Sequence, residues 1–128
     1  MNATNKHTLL LIDDKPANLI ALKSMLEKPN REIITCNSGN EGLQILLKEK
    51  VSLILVDVQM PEMDGYMLAR KIKADVRFSG VPVIMHTSLS GHWNHQLGST
   101  VGADGYVSKF EPARLAEALT RTLSARAT

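Results

Sequence analysis

Three carboxylates, two hydroxyls and one amine stand where apolar runs of this sequence end, and together they have a chemistry that none has alone. Asp13 and Asp14 close LLLIDD, Asp57 closes LILVD, Thr87 and Ser88 close VIMHTS, and Lys109 follows GYVS. Carboxylates brought within a few ångströms of one another repel, and a divalent cation resolves the conflict. Oxygen-only donors of this kind suit Mg²⁺, which takes one or two carboxylates plus phosphate oxygens and keeps several waters. A carboxylate can also attack phosphorus to give an acyl phosphate, a transfer that depends on positioning and on neutralising the equatorial oxygens. Lys109, Thr87 and Mg²⁺ have the charges and donors for that neutralisation. Asp, Ser and Thr are individually ordinary cap and turn formers. The set is not ordinary: Asp13 and Asp14 are consecutive, Asp57 interrupts the most apolar stretch, and Lys109 falls at the matching end.

For these residues to meet, the apolar runs must be strands of one sheet. Apolar runs alternate with helix-period segments along the chain, which is the pattern of a parallel sheet covered on both faces. Thr8 to Ile12 reads as a short buried strand, after which Pro16 suits the first turn of a helix carrying Leu19, Leu22, Lys23 and Leu26. Pro29 and Asn30 end it. Ile33 to Cys36 is the second strand, and Ser38 with Glu41 three residues on makes a capping box for a helix with Leu43, Leu46 and Leu47 inward. Val51 to Asp57 is nearly continuous Val, Leu and Ile, the mark of a central strand buried on both faces. Asp64 and Gly65 turn into a third helix whose inward stripe is Met67, Leu68 and Ile72, stopped by Gly80 to Pro82. Val83 to Thr87, the helix Trp93 to Val101, Gly105 to Ser108, and a last helix opened by Pro112 with Leu115, Leu119 and Leu123 inward complete five units. Ligands of open parallel sheets bind outside the carboxyl ends of the strands, where the polar set falls.

The 128 residues, 44% of them hydrophobic, fit one domain spanning 1–128, with 124–128 small and polar enough to be a linker stump. No apolar run approaches the roughly 20 residues of a membrane span, and the opening lacks the parts of a secretion signal. A cytoplasmic protein without membrane contact is expected. The single cysteine, Cys36, excludes an internal disulfide and reads as a buried strand residue. A net charge of +2 is spread along the chain and few aromatics are present to stack bases, so direct nucleic-acid binding is not expected.

Weaker signals point elsewhere. His92 and His95 lie three apart beside Trp93, but no further ligand completes a transition-metal set, so an exposed helix start is the reading. His86, inside the fourth strand next to Thr87, is expected to point away from the site by strand alternation and to be buried and hydrogen-bonded. Met67 and Met85 have core periodicity, whereas Met60 and Met63 read as plain loop residues. No glycine-rich turn follows the first strand, which argues against dinucleotide binding.

The runs LLLIDDKPANL, LILVDVQMPEMDGY, PVIMHTS and GADGYVSKF resemble, in order and spacing, the motifs of response-regulator receiver domains of two-component signalling. The resemblance covers nearly the whole chain. It implies a flavodoxin-like (βα)5 α/β fold, doubly wound, with a five-stranded parallel sheet in the order 2-1-3-4-5. By that resemblance Asp57 is the phosphoacceptor, Asp14 the direct Mg²⁺ ligand, Asp13 the acid that holds the ion through water, and the Gln59 backbone carbonyl a further ligand. Lys109 pairs with the phosphorylated aspartate, Ser88 is small for phosphoryl access, and Pro61 and Gly65 shape the acceptor turn. Thr87 and Tyr106 form the switch, the hydroxyl turning toward the phosphoryl group and the ring swinging in behind it. The implied partners are a histidine kinase or histidine phosphotransfer protein, and an output protein or fused effector module on the face of the fourth helix, fifth strand and fifth helix. The chain departs from the family at Phe110, where a cis-proline peptide is common. HTSLSGHWNHQLG with SKFEP resembles the receivers of chemotaxis coupling proteins, and the front half those fused to hybrid sensor kinases. Two other readings remain: a docking domain that is never phosphorylated, and a phosphohydrolase of the haloacid-dehalogenase type. The second needs an acid two residues after Asp57, where Gln59 stands.

Overall fold

The computed structural model describes residues 7–87, 100–108 and 112–127. Strands β1 (His7–Ile12), β2 (Arg31–Cys36), β3 (Leu53–Asp57), β4 (Val83–Thr87) and β5 (Gly105–Ser108) form one sheet in the order β2-β1-β3-β4-β5. Every pairing is parallel. Between them run helices α1 (Pro16–Leu26), α2 (Gly39–Lys48) and α3 (Gly65–Ala74), and α4 (Pro112–Ala127) follows β5. Thr100 and Val101 are helical; the rest of the helix expected over Trp93 to Val101 lies outside the described residues. Among the described residues no helix is long and apolar enough to cross a membrane.

Alternation along each strand divides the core into two layers. Leu9, Leu11, Leu53, Leu55, Ile84 and Val107 pack with Leu19, Leu22 and Leu26 of α1 and with Leu115, Leu119 and Leu123 of α4. On the other face Leu10, Ile12, Ile54, Val56, Val83 and Met85 pack with Leu46 of α2 and with Leu68, Ala69 and Ile72 of α3. β3 is buried along its whole length, as a central strand must be. Each fully buried Leu or Ile contributes roughly 1.5–3 kcal/mol.

The helix starts follow capping chemistry. The Ser38 hydroxyl accepts from the Glu41 N–H at 3.2 Å, and the Glu41 carboxylate accepts from the Asn37 N–H at 3.2 Å, one residue ahead of the cap itself. Asp64 caps α3 by accepting from the Met67 N–H at 2.8 Å. Two inward assignments are corrected. Leu47 is 59% exposed and Met67 47% exposed, because each lies at the edge of its expected stripe on a helix that buries a narrower face. Met60 and Met63 pack against the core as partly buried side chains rather than standing as plain loop residues.

Candidate functional site

The carboxyl ends of β1 and β3 bring Asp13 and Asp57 to one edge of the sheet. Leu9, Leu11 and Asp13 share one parity on β1, and Leu53, Leu55 and Asp57 share it on β3, so both acids lie on the face covered by α1 and α4. Both are buried, Asp13 at 0% exposure and Asp57 at 1%. Asp13 is fixed twice: its Oδ1 accepts from the Lys15 N–H at 2.9 Å and its Oδ2 from the Asn18 side-chain amide at 3.3 Å. Asn18 is a positioning contact that the sequence pattern did not single out. Asp57 Oδ1 accepts from the Gln59 N–H at 3.0 Å. Asp14 stands beside them with a buried Oδ1 that has no hydrogen-bond partner among the described residues.

The loop after Asp57 is built tightly. The Val58 N–H donates to the His86 carbonyl at 2.9 Å, carrying the β3–β4 ladder one residue past Asp57, and the Gly65 N–H donates back to the Val58 carbonyl at 3.0 Å. Between them Glu62 adopts a left-handed backbone, φ 66°. A Cβ on Gly65 would run into the Asp57 carbonyl, the Met85 methyl at 2.8 Å and the Val58 Cα at 2.9 Å, so only glycine closes this turn.

His86 is a correction. Strand alternation counted from Thr87 was expected to turn it away from the site, but parallel register sets Asp57 opposite His86. His86 therefore shares the parity of Ile84 and the face of Asp57 and Asp13, and it is 1% exposed. One ring nitrogen of His86 and one carboxylate oxygen each of Asp13 and Asp57 all lie within 4.8 Å of one another. The clue was available in the sequence as a polar residue inside the apolar run VIMHTS, but its facing depends on cross-strand register rather than on its neighbour.

Thr87 ends β4 opposite Ser108 of β5, and Tyr106, which is 37% exposed, pairs with Met85. Gln59 is exposed at the start of the loop that holds Pro61. Ser88, Lys109, Phe110, His92 and His95 lie outside the described residues, as does the peptide before Phe110. Cys36 is no part of the site: its thiol donates to the Ser38 carbonyl at 3.7 Å, and burial, with the Glu41 charge nearby, pushes its pKa up to about 12.

The sequence profile of the response regulator receiver domain matches residues 9–120. The chain belongs to that family. Receiver domains are signalling domains of two-component systems, working with kinases and effector domains. Among curated proteins the chain is 37% identical over 123 residues to the "Probable transcriptional regulator ycf27" of Porphyra purpurea, covering 95% of this chain and 49% of that protein. The chain thus spans about half the length of that relative. Among solved structures it is similar to the signal receiver domain of a signal transduction histidine kinase from Syntrophus aciditrophicus, with TM-score 0.83, 32% identity, and coverage of 93% of this chain and 91% of that one. The receiver domain of the sensor histidine kinase PA1611 from Pseudomonas aeruginosa PAO1, solved with a magnesium ion coordinated in its active-site cleft, has TM-score 0.81 and 25% identity over 93% of this chain and 98% of that one. The family fold, with its 2-1-3-4-5 strand order, is the one described above.

Proposed function

We propose that Asp57 accepts a phosphoryl group from a phosphohistidine of a kinase or phosphotransfer protein, with Mg²⁺ held by Asp13, Asp14, Asp57 and the Gln59 carbonyl. The observation that carries this reading is the meeting of buried Asp13 and Asp57 at the carboxyl edge of the sheet, beside an Asp14 oxygen that lacks a hydrogen-bond partner among the described residues. An orphaned buried acceptor next to two acids fits a hard cation. The magnesium ion in the cleft of the Pseudomonas aeruginosa receiver supports the same fit. When bound, Mg²⁺ offsets negative charge on the acids and on the incoming phosphoryl oxygens.

In the transfer, an Asp57 carboxylate oxygen forms the new O–P bond as the donor's N–P bond breaks, and the electron pair departs on the imidazole nitrogen. The Gln59 N–H on Oδ1 restrains rotation of the acceptor carboxylate, and the Lys15 N–H and Asn18 do the same for Asp13. Lys109 pairs with the product, and Ser88 leaves room for the phosphoryl group to enter. The product adds close to two negative charges, roughly −1.5 to −2 at neutral pH. Thr87 turns its hydroxyl toward them, and Tyr106 moves from its part-exposed position into the space vacated. The partner face beside β5 and α4 changes shape as a result, and an output protein or a fused effector module reads that change by its difference in affinity for the two states. On this reading the protein works in the cytoplasm, away from membrane and nucleic acid, as one domain whose own chemistry is limited to taking and losing the phosphoryl group.

The test is labelling by acetyl phosphate with Mg²⁺. The native chain is expected to gain one hydroxylamine-sensitive phosphoryl group, and Asp57→Asn to gain none; labelling that persists in the variant sinks the assignment.

A further inference from the structure

The acids at the sheet edge share their pocket with an imidazole. His86 hangs from β4 directly opposite Asp57, and its own carbonyl is tied to the Val58 N–H at 2.9 Å, so the ring is placed by the strand ladder and not by a mobile loop. One of its nitrogens lies within 4.8 Å of a carboxylate oxygen of both Asp13 and Asp57. Around an ion with bonds of about 2.0–2.2 Å, neighbouring donors sit about 3 Å apart and opposite donors about 4.2 Å. The three donors therefore need only small side-chain adjustments to close on a single ion.

We propose that His86 makes this a mixed nitrogen–oxygen site that takes a borderline first-row transition-metal ion, in the series from Fe²⁺ to Zn²⁺, in preference to Mg²⁺. The proposal rests on the reading of Asp13 and Asp57 as cation ligands and adds a nitrogen to their oxygens. Two physical differences separate the ions here. Imidazole suits Zn, Cu, Fe and Ni, and affinity climbs from Mn²⁺ through Co²⁺ toward Cu²⁺, whereas Mg²⁺ and Mn²⁺ keep to oxygen donors. Mg²⁺ also gives up its waters reluctantly. Asp13, Asp57 and His86 are all at most 1% exposed, so an ion drawn in among all three must shed water that one at the rim retains. A hard ion held by the acids alone stays at the rim, and a borderline ion exchanges that water for the ring nitrogen.

The chain holds four histidines, His7, His86, His92 and His95, so replacing the other three by Gln leaves His86 as the sole imidazole. Cu²⁺ alone, bound to that variant, is examined by pulsed electron-spin-echo spectroscopy for modulation from a coordinated imidazole ¹⁴N. Co²⁺ and Mg²⁺ affinities are measured calorimetrically before and after His86→Val. Directly bound ¹⁴N is expected. The Co²⁺ to Mg²⁺ affinity ratio is expected to fall about tenfold or more in His86→Val, with Mg²⁺ affinity changed by less than about threefold. Absence of ¹⁴N modulation, or an unchanged ratio, overturns the proposal. If His86→Val does not fold, the spin-echo measurement, which leaves His86 in place, decides alone. The two readings fail differently: normal Mg²⁺ binding and acetyl phosphate labelling without nitrogen coupling removes only the role of His86. Loss of both in the native chain removes the phosphoacceptor reading as well.

Discussion

The two ends of the sheet each carry buried or half-buried charge, and they handle it in opposite ways. At the amino end, Lys73 reaches from α3 to Asp104 at 2.8 Å and donates to the carbonyls of Val81 at 2.8 Å and Ser79 at 3.2 Å. The same Asp104 oxygen accepts from the Val83 N–H at 2.8 Å. A cation meets an anion and two carbonyl dipoles, and the cluster braces the last turn of α3 against the start of β4. At the carboxyl end, Asp13 and Asp57 gather side by side with His86, and Asp14 follows Asp13 with a buried Oδ1. Charge is present at both ends. What sets the carboxyl end apart is that acids are held together by the fold, a cost that a purely structural cluster has no reason to bear.

That contrast can be broken by removing one charge from each end. Lys73→Met keeps the aliphatic stem but removes the ammonium from Asp104 and two carbonyls, leaving Asp104 with the Val83 N–H, and chemical denaturation is expected to show a loss of about 1.5–3 kcal/mol. Gly65→Ala puts a methyl group against the Asp57 carbonyl and Val58 Cα, with an expected loss of about 1–3 kcal/mol. Calorimetric Mg²⁺ titration sharpens this one, since a distorted acceptor turn should also weaken Mg²⁺ binding. Asp57→Asn should do the reverse of Lys73→Met: in metal-free buffer it relieves repulsion with Asp13 and raises stability by about 1 kcal/mol. A destabilised Asp57→Asn, measured beside a destabilised Lys73→Met, would erase the distinction between the two ends.

The smallest effect belongs to neither end. Burial raises the Cys36 thiol above its ordinary 9.0 to about 12, so the unfolded chain gives up this proton before the folded one does. The stability it contributes is complete below pH 9 and is lost as pH rises toward 12. Alkaline melting curves of the native chain and of Cys36→Ala should therefore converge in shape below pH 9 and differ in slope above it.

Strands, helices and sheet order were legible because the apolar runs are nearly uninterrupted and each is followed by helical spacing. In β3 there was no face to misjudge, since Leu53, Ile54, Leu55 and Val56 are all buried. Asp13 and Asp57 were legible for the same reason, as carboxylates that end such runs. His86 was legible as a buried residue but not as a neighbour of Asp57, because facing is a relation between two strands and alternation within one strand cannot supply it. Leu47 and Met67 misled because an apolar residue at helical spacing still needs a partner surface, and each lies beside the buried face that Leu46 and Leu68 occupy. The left-handed Glu62 carries no compositional signal at all, since glycine or asparagine would be the usual occupant.

The parallel β1–β3 register, Leu9 opposite Leu53, joins segments far apart along the chain. In the unfolded ensemble Asp13 and Asp57 are therefore strangers, and their repulsion arises only when those two strands pair. Divalent ions dissolved around the chain should then act on the speed of that pairing as well as on the finished molecule.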